Sequence, residues 1–296
     1  MTRWIVLLIN LLAVQLLASS LVRLLPGDPA EALMAEASVD LPIEEIRREM
    51  GLDQPFWKAS LNSLRSTLRG DLGRSLHTRE PIFPILQERF LSSIQLALPA
   101  AVLALLISFP FGMAAAARRG SFTDRFCSWY GALTASLPTL WIAPLAIWFF
   151  CVQLQWFDLD GNSALPILVL GFSASGFWMR LVRERTSEGL ALPSAQAARA
   201  RGLSEMQIQI KYGLRVPLGS ILAYFMVQLG HLMTGAFVIE VVFNRAGAGT
   251  YFIDAILRRD YPVIEAATWV AASLCLVSNF LGDLIHQWLD PRISAA

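Results

Sequence analysis

Charge is scarce in this chain. Of its 296 residues 16% are charged and 55% apolar, and the mean hydropathy is +0.51. A soluble domain carries about 25% charged residues, so the deficit excludes an ordinary soluble globule and points to a membrane. Lysine is almost missing, with Lys58 and Lys211 standing against 22 arginines. A net charge of +1 leaves no basic footprint for nucleic acid. The lysines also exclude a P-loop, which needs Lys followed by Ser or Thr; here Ala59 and Tyr212 follow. Cysteine is rare too. Cys127, Cys151 and Cys275 show no C-x-x-C spacing and read as small buried apolar residues. The histidines are His77, His231 and His286. Met226 and Met233 flank His231, but neither lies three or four residues from it, so no metal cage is read. No Ser/His/Asp or paired-carboxylate constellation stands out, so no enzyme is read. Tandem repeats and low-complexity tracts are absent.

What is present is a series of long apolar runs. About 20 apolar residues cross a bilayer as helix. The runs predict spans over Trp4 to Val22, Ser92 to Ala116, Trp129 to Trp156, Leu165 to Leu181, Leu218 to Phe243 and Ile264 to Trp288. The first is expected to stay attached, because only Arg3 precedes it and no small-x-small cleavage site comes before Arg23. Pro99 and Pro110 fall inside the second run, and Pro138 and Pro144 inside the third. Such prolines imply neighbouring helices that re-satisfy the freed carbonyls. Trp148, Phe149, Phe150, Trp156 and Phe157 crowd the end of the third run like an interfacial belt. Gly171, Ser173, Ser175 and Gly176 give the fourth a small-residue packing face.

Between the first two runs lies a polar insertion of roughly 65 residues, Pro26 to Phe90. Leu41 to Met50 reads as a short charged helix. Asp53 is placed to cap a second helix near Pro55, with Trp57, Leu61, Leu64 and Leu68 on one stripe. Gly51 to Pro55 and Gly70 to Gly73 read as breaks.

The long polar run of the second half is Ala195 to Pro217, AQAARARGLSEMQIQIKYGLRVP. Gly202 breaks the chain, and Ser204 with Gln207 has capping-box spacing. This predicts two short helices at an angle, with an alanine-rich face that a second protein could approach closely. An amphipathic juxtamembrane helix with no partner fits the same spacing, and the residues alone leave both open. Two ionisable groups fall within the fifth run. His231 lies near its middle and Glu240 near its end, and such groups face a bundle interior or a water-filled path. A neutral histidine bonded to a neighbouring helix also fits His231. Glu240 could line a gate, pair with Arg245, or reach the headgroups.

Arg-rich short loops mark the cytoplasmic side. Arg118, Arg119 and Arg125, and then Arg183 through Arg215, define it, while Asp158 to Ser163 carries no Lys or Arg. The insertion holds eight basic and eleven acidic residues, but long loops escape the rule. Arg245, Arg258 and Arg259 lie on the opposite side to the one the rule favours.

The polar run resembles the coupling (EAA) loop of bacterial ABC importer permeases, in the ARARGLS variant of the dipeptide/oligopeptide/nickel branch. Ala198, Arg199, Ala200, Arg201, Gly202 and Leu203 carry the match. Leu214 and Arg215 also match, whereas Val216 stands where that branch has Asn and Pro217 comes early. Further matches follow in order: Leu24 to Ala30 (LLPGDPA), Met50 to Pro55 (MGLDQP) and Gly70 to Leu76 (GDLGRSL). Next come Glu240, Phe243, Gly247 and Gly249, then Asp254 to Ile256, Arg259 to Val263, Asp283 and Leu284, and Leu289 to Arg292. Arg245 and Ala246 depart from that pattern.

The resemblance implies an all-α, six-span permease of the type I importer kind. Its parts would be an N-terminal helix (1–24), an external helical insertion (25–91), and a five-helix core (92–293) bearing the loop at 195–217. Ala197, Ala198, Arg199, Ala200, Arg201, Gly202 and Leu203 would couple to an ATPase, and His231 and Glu240 would line the path. Both termini would be cytoplasmic, in a bacterial inner membrane. The chain would hold no cofactor; ATP would sit on two partner ATPase subunits, beside a second permease, an external binding protein and membrane lipid. The cargo would be small peptides, or alternatively nickel or a metal chelate. The rival reading from residues alone is an ion-coupled secondary transporter, which calls for intramembrane carboxylates and inverted repeats.

Overall fold

The computed structural model describes residues 2–24, 30–31, 34, 42–49, 52–158, 163–215 and 217–289. Most of LLPGDPA, the start of MGLDQP, the centre of the Asp158 to Ser163 loop, Val216 and the residues after Leu289 lie outside them. The described residues are helical, apart from loops and one antiparallel bridge between Arg74 and Pro81.

Two compact units divide the chain. One comprises Met1–Ser93 with Ala246–Val277, the other Ile94–Arg245 with Ser278–Ala296. The division at Ser93 falls beside the boundary expected at 92, and 246–277 is grouped with the N-terminal part. The first unit holds α1 (Thr2–Leu24), α2 (Ile43–Glu49), α3 (Phe56–Leu68), the start of α4 (Ile82–Ala117), α11 (Ala248–Leu257) and most of α12 (Tyr261–Leu289). The second holds the rest of α4, α5 (Phe122–Ser136), α6 (Thr139–Ala146) with a π-helical extension (Ile147–Gln153), α7 (Ala164–Ala191), α8 (Pro193–Ala200), α9 (Glu205–Ile208) and α10 (Leu218–Val242).

Helices α4, α7, α10 and α12 are long and apolar enough to cross a membrane. Helices α5 and α6 would make a fifth crossing if counted as one, but they meet at a bend of 96°. The expected third span is therefore broken. The cause is local. Pro138 disfavours helical backbone at the residue before it, and Leu137 is extended, with ψ 112°. Pro99 and Pro110, by contrast, lie within an unbroken α4. That helix starts ten residues before Ser92, so it is longer than the bilayer core requires. The apolar part of α1, Trp4–Ser20, is shorter than the other candidates.

The core of the second unit is built on small residues. Ala97, Ala100, Ala101 and Ala104 of α4 meet Leu165, Val169 and Leu170 of α7 and Leu232, Ala236 and Ile239 of α10. The small-residue face of α7 works as the sequence suggests. A Cβ on Gly171 would stand 2.8 Å from the Leu103 side chain and 3.0 Å from the Ala100 carbonyl oxygen. One on Gly176 would overlap Thr134 of α5. Close approach then lets polar groups bond between helices: the Ser108 hydroxyl lies 2.9 Å from the Ser175 carbonyl, and the Tyr130 hydroxyl donates to the Phe172 carbonyl at 2.9 Å.

Two details of the insertion differ from expectation. Pro55, not Asp53, occupies the cap position of α3, and no side chain caps it. The apolar stripe of α3 also faces outward: Trp57 is 68% exposed and Leu68 75%. Its serines turn inward instead, with Ser60 buried. Helical periodicity correctly identified an amphipathic helix, but it cannot say which face a polar interior will claim.

Candidate functional site

The polar run after α7 folds into two short helices with a sharp corner. Leu192 is extended and Pro193 opens α8, at the position where a missing N–H costs nothing. Gly202 ends α8 in the left-handed region, at φ +81°. The Gly202 and Leu203 N–H groups return to the carbonyls of Arg199 (2.9 Å) and Ala198 (3.3 Å), which satisfies the helix end. Ser204 then caps α9 through the expected box: Gln207 N–H donates to Ser204 Oγ at 3.4 Å, and Ser204 N–H to Gln207 Oε1 at 3.3 Å. A π-helical turn, Gln209–Leu214, completes the segment.

The two faces of this element differ. Ala195, Ala198 and Ile208 are buried with Leu190 and Ala116, and Leu203 and Tyr212 pack against them. Ala197, Arg199, Ala200, Arg201, Gly202, Glu205, Met206 and Ile210 face outward. Of the residues assigned from sequence, Ala198 thus supports the fold from inside, and Leu203 is half-buried. The sequence reading missed Met206 and Ile210, which are 71% and 49% exposed. Their i,i+4 spacing just after the Ser204 cap was the available signal. Arg199 grips Glu205 with two bonds, Nε to Oε1 at 2.9 Å and a terminal nitrogen to Oε2 at 3.3 Å. The hydrogen bond from Arg199 holds the Glu205 carboxyl below its ordinary range.

The element is clamped to α7. A Cβ on Gly189 would meet the Gly213 carbonyl oxygen at 2.5 Å and the Tyr212 carbonyl oxygen at 2.8 Å. Backbone therefore rests directly on backbone, with no flexible side chain between. Six residues earlier on α7, Arg183 pairs with Asp124 of α5. Asp124 also accepts from the Gly120 N–H at 2.8 Å, and Arg119 donates to Ser187 Oγ at 2.9 Å. The α4–α5 corner and the short helices are thus fastened to the same end of α7.

The two residues assigned to a path lie apart in character. His231 is on an exposed face of α10, while Glu240 is fully buried. A carboxylate at 0% exposure does not reach the headgroups. In the first unit, two widely separated motifs meet. Asp260, of the Arg259 to Val263 stretch, is 4% exposed. It accepts from the Ser75 hydroxyl and from the Leu76 N–H, the latter at 3.1 Å, and His77 Nε2 lies 2.6 Å from the Arg258 carbonyl. The sequence held both motifs but not their contact. Among the described residues, no three His, Cys, Asp or Glu side chains gather as a metal site.

Long apolar helices packed through alanine and glycine, with an exposed helix pair fixed to the end of one of them, make an all-helical chain of the kind that crosses a membrane. Residues 108–295 match the family of binding-protein-dependent transport system inner membrane components. The chain is 31% identical to the di/tripeptide transport system permease protein DppB of Pseudomonas aeruginosa, over 95% of this chain and 94% of that protein. It is 30% identical to the glutathione transport system permease protein GsiC of Escherichia coli, over 96% and 94%. It is 29% identical to the probable peptide ABC transporter permease protein y4tP of Sinorhizobium fredii, over 92% and 91%. The chain belongs to the binding-protein-dependent inner membrane component family, and it is an ABC importer permease.

Proposed function

We propose that this chain is one of two homologous permease subunits of an ATP-driven importer of small peptides. The cargo class rests on the relatives, which are named for di/tripeptides, glutathione and peptides. None of those three is named for nickel, and the nickel alternative is not carried further. Partner chains supply the rest of the machine: two ATPases that bind ATP, a second permease and an external binding protein. In this reading α1, α4, the α5–α6 pair, α7, α10 and α12 make six crossings. Both termini and the α8–α9 element are cytoplasmic, and the insertion is external.

The observation that carries the reading is the clamp of the α8–α9 element to α7. A force applied to Ala197, Arg199, Arg201, Met206 and Ile210 cannot be absorbed at the Gly189–Gly213 contact, because no side chain there can yield. It moves α7, and with it the core of Leu165, Val169 and Leu170. Closure of the ATPases would thereby rock the spans and open the path alternately to each side. His231, on an exposed face of α10, is assigned to that path or to the joint with the second permease. Glu240 acts from inside the subunit by supporting α10.

The test is co-purification of the full chain in detergent, as wild type and as Met206→Asp, with mass spectrometry of what accompanies it. An ATPase pair retained by wild type and lost from the variant is the expected result. A chain that purifies without an ATPase in both forms would overturn the reading.

A further inference from the structure

The first unit also holds a polar cavity of its own. A cavity of about 390 Å³ lies between α1, α3 and the start of α12, with Arg48 of α2 also at its wall. Its walls are unusually polar for a place where an apolar helix meets two others. Glu265 of α12 is its focus. Three donors converge on one oxygen, Oε1: Ser19 Oγ at 2.6 Å, Ser63 Oγ at 2.7 Å and Gln15 Nε2 at 3.1 Å. The carboxylate is thus fixed in place, and Oε2 is the oxygen left to receive a further donor. Gln15 is only 2% exposed, and its amide nitrogen is committed to Ser63 and Glu265. Its own oxygen has no hydrogen-bond partner, and neither has the hydroxyl of equally buried Ser60 nor the indole nitrogen of Trp269. All three residues line the cavity. A buried polar atom without a partner loses its hydration and gains nothing in return, so three around one cavity are hard to explain as packing alone. The inverted orientation of α3 is a second, independent sign. That helix leaves Trp57, Leu61 and Leu68 outside in order to bring Ser60 and Ser63 in.

The donor set defines the ligand. Glu265 and Asp71 call for a cationic group, Arg48 for an anionic one, and Gln15 and Ser60 offer acceptors for a donor with several N–H bonds. We propose that this cavity binds a small zwitterion, its primary ammonium on Glu265 and its anionic end toward Arg48. Two sources supply that chemistry, the ethanolamine phospholipid headgroup and a free zwitterion such as a dipeptide. Either would seat beside α1, whose outer face of Leu8, Leu12 and Leu16 is exposed and apolar.

The test is native mass spectrometry of the delipidated full chain, titrated separately with phosphatidylethanolamine, with phosphatidylcholine of the same acyl chains, and with dialanine. Replacing the ammonium hydrogens by methyl groups removes every donor while keeping the charge. The site therefore favours the ethanolamine lipid by at least about tenfold, the ratio set by one charge-assisted hydrogen bond. Glu265→Gln abolishes that preference, and Arg48→Ala, on an exposed residue, weakens it without threatening the fold. Saturable dialanine binding with the same Glu265 dependence assigns the site to a free zwitterion; lipid discrimination without it assigns the site to the headgroup. Equal binding of both lipids by wild type, with no saturable dialanine binding, overturns the proposal and needs no variant to be read.

Discussion

Gly189 of α7 and Gly213 of the π-helical turn after α9 touch backbone to backbone, so that a Cβ on Gly189 would lie only 2.5 Å from the Gly213 carbonyl oxygen. This contact converts a polar loop into a rigid extension of a membrane helix. Gly189→Val should force the two apart and leave both elements folded. Assembly with the ATPases should persist, while peptide uptake into proteoliposomes falls at least about tenfold, as a misplacement near 1 Å can cost. Unchanged uptake per ATP hydrolysed would show that the contact transmits nothing.

Gly202 ends α8 at φ +81°, and nothing lies within 4 Å of a Cβ placed there. The effect of substitution is therefore backbone strain alone. Gly202→Ala should cost about 1 kcal/mol locally, read as faster amide exchange at Leu203 and Ser204. Gly202→Val should cost more, since β-branched residues tolerate this region least. Equal exchange in all three forms would contradict the account.

Arg199 and Glu205 form an exposed bidentate pair across the corner. The Glu205 carboxyl lies below its ordinary value of 4.5 when folded. A depressed carboxyl stabilises the fold fully above its unfolded value and loses that contribution as pH falls through the folded one. Wild type and Glu205→Gln should then differ by a constant amount of about 0.2–1 kcal/mol near neutrality and converge only below pH 4.5. A melting difference that instead grows on acidification would reverse the sign.

Asp124 holds Arg183 and the Gly120 N–H, and its side chain is 12% exposed. Asp124→Ala leaves a partly buried guanidinium and an amide without partners. Destabilisation of about 2–4 kcal/mol is expected, visible as a lower melting temperature of the detergent-solubilised chain. Arg183→Met, which also removes the charge left behind, should restore part of that loss in the double variant. A melting temperature within error of wild type would show the pair to be ornamental.

Much was legible in the sequence because it is local. Apolar runs located α4, α7, α10 and α12, since the length needed to cross a bilayer is written in consecutive residues. The Ser204 capping box and the Gly202 stop also came through, because each depends on residues within one turn. The bend at Leu137–Pro138 had its cause in plain sight, yet two other prolines sit in an unbroken α4. Whether a proline breaks a helix depends on what surrounds it.

The sequence by itself determined the class of protein, the long apolar helices α4, α7, α10 and α12, and the position of the short-helix pair α8–α9. Composition, period and ordered motifs require no knowledge of who touches whom. Only the tertiary structure decided which alanines of that element face inward, that Gly189 seats Gly213, and that Asp260 fastens Ser75 and Leu76. It alone placed Gln15, Ser19, Ser63 and Glu265 around one cavity. Those are contacts between residues far apart in the chain, and they follow from packing geometry, which no local pattern encodes.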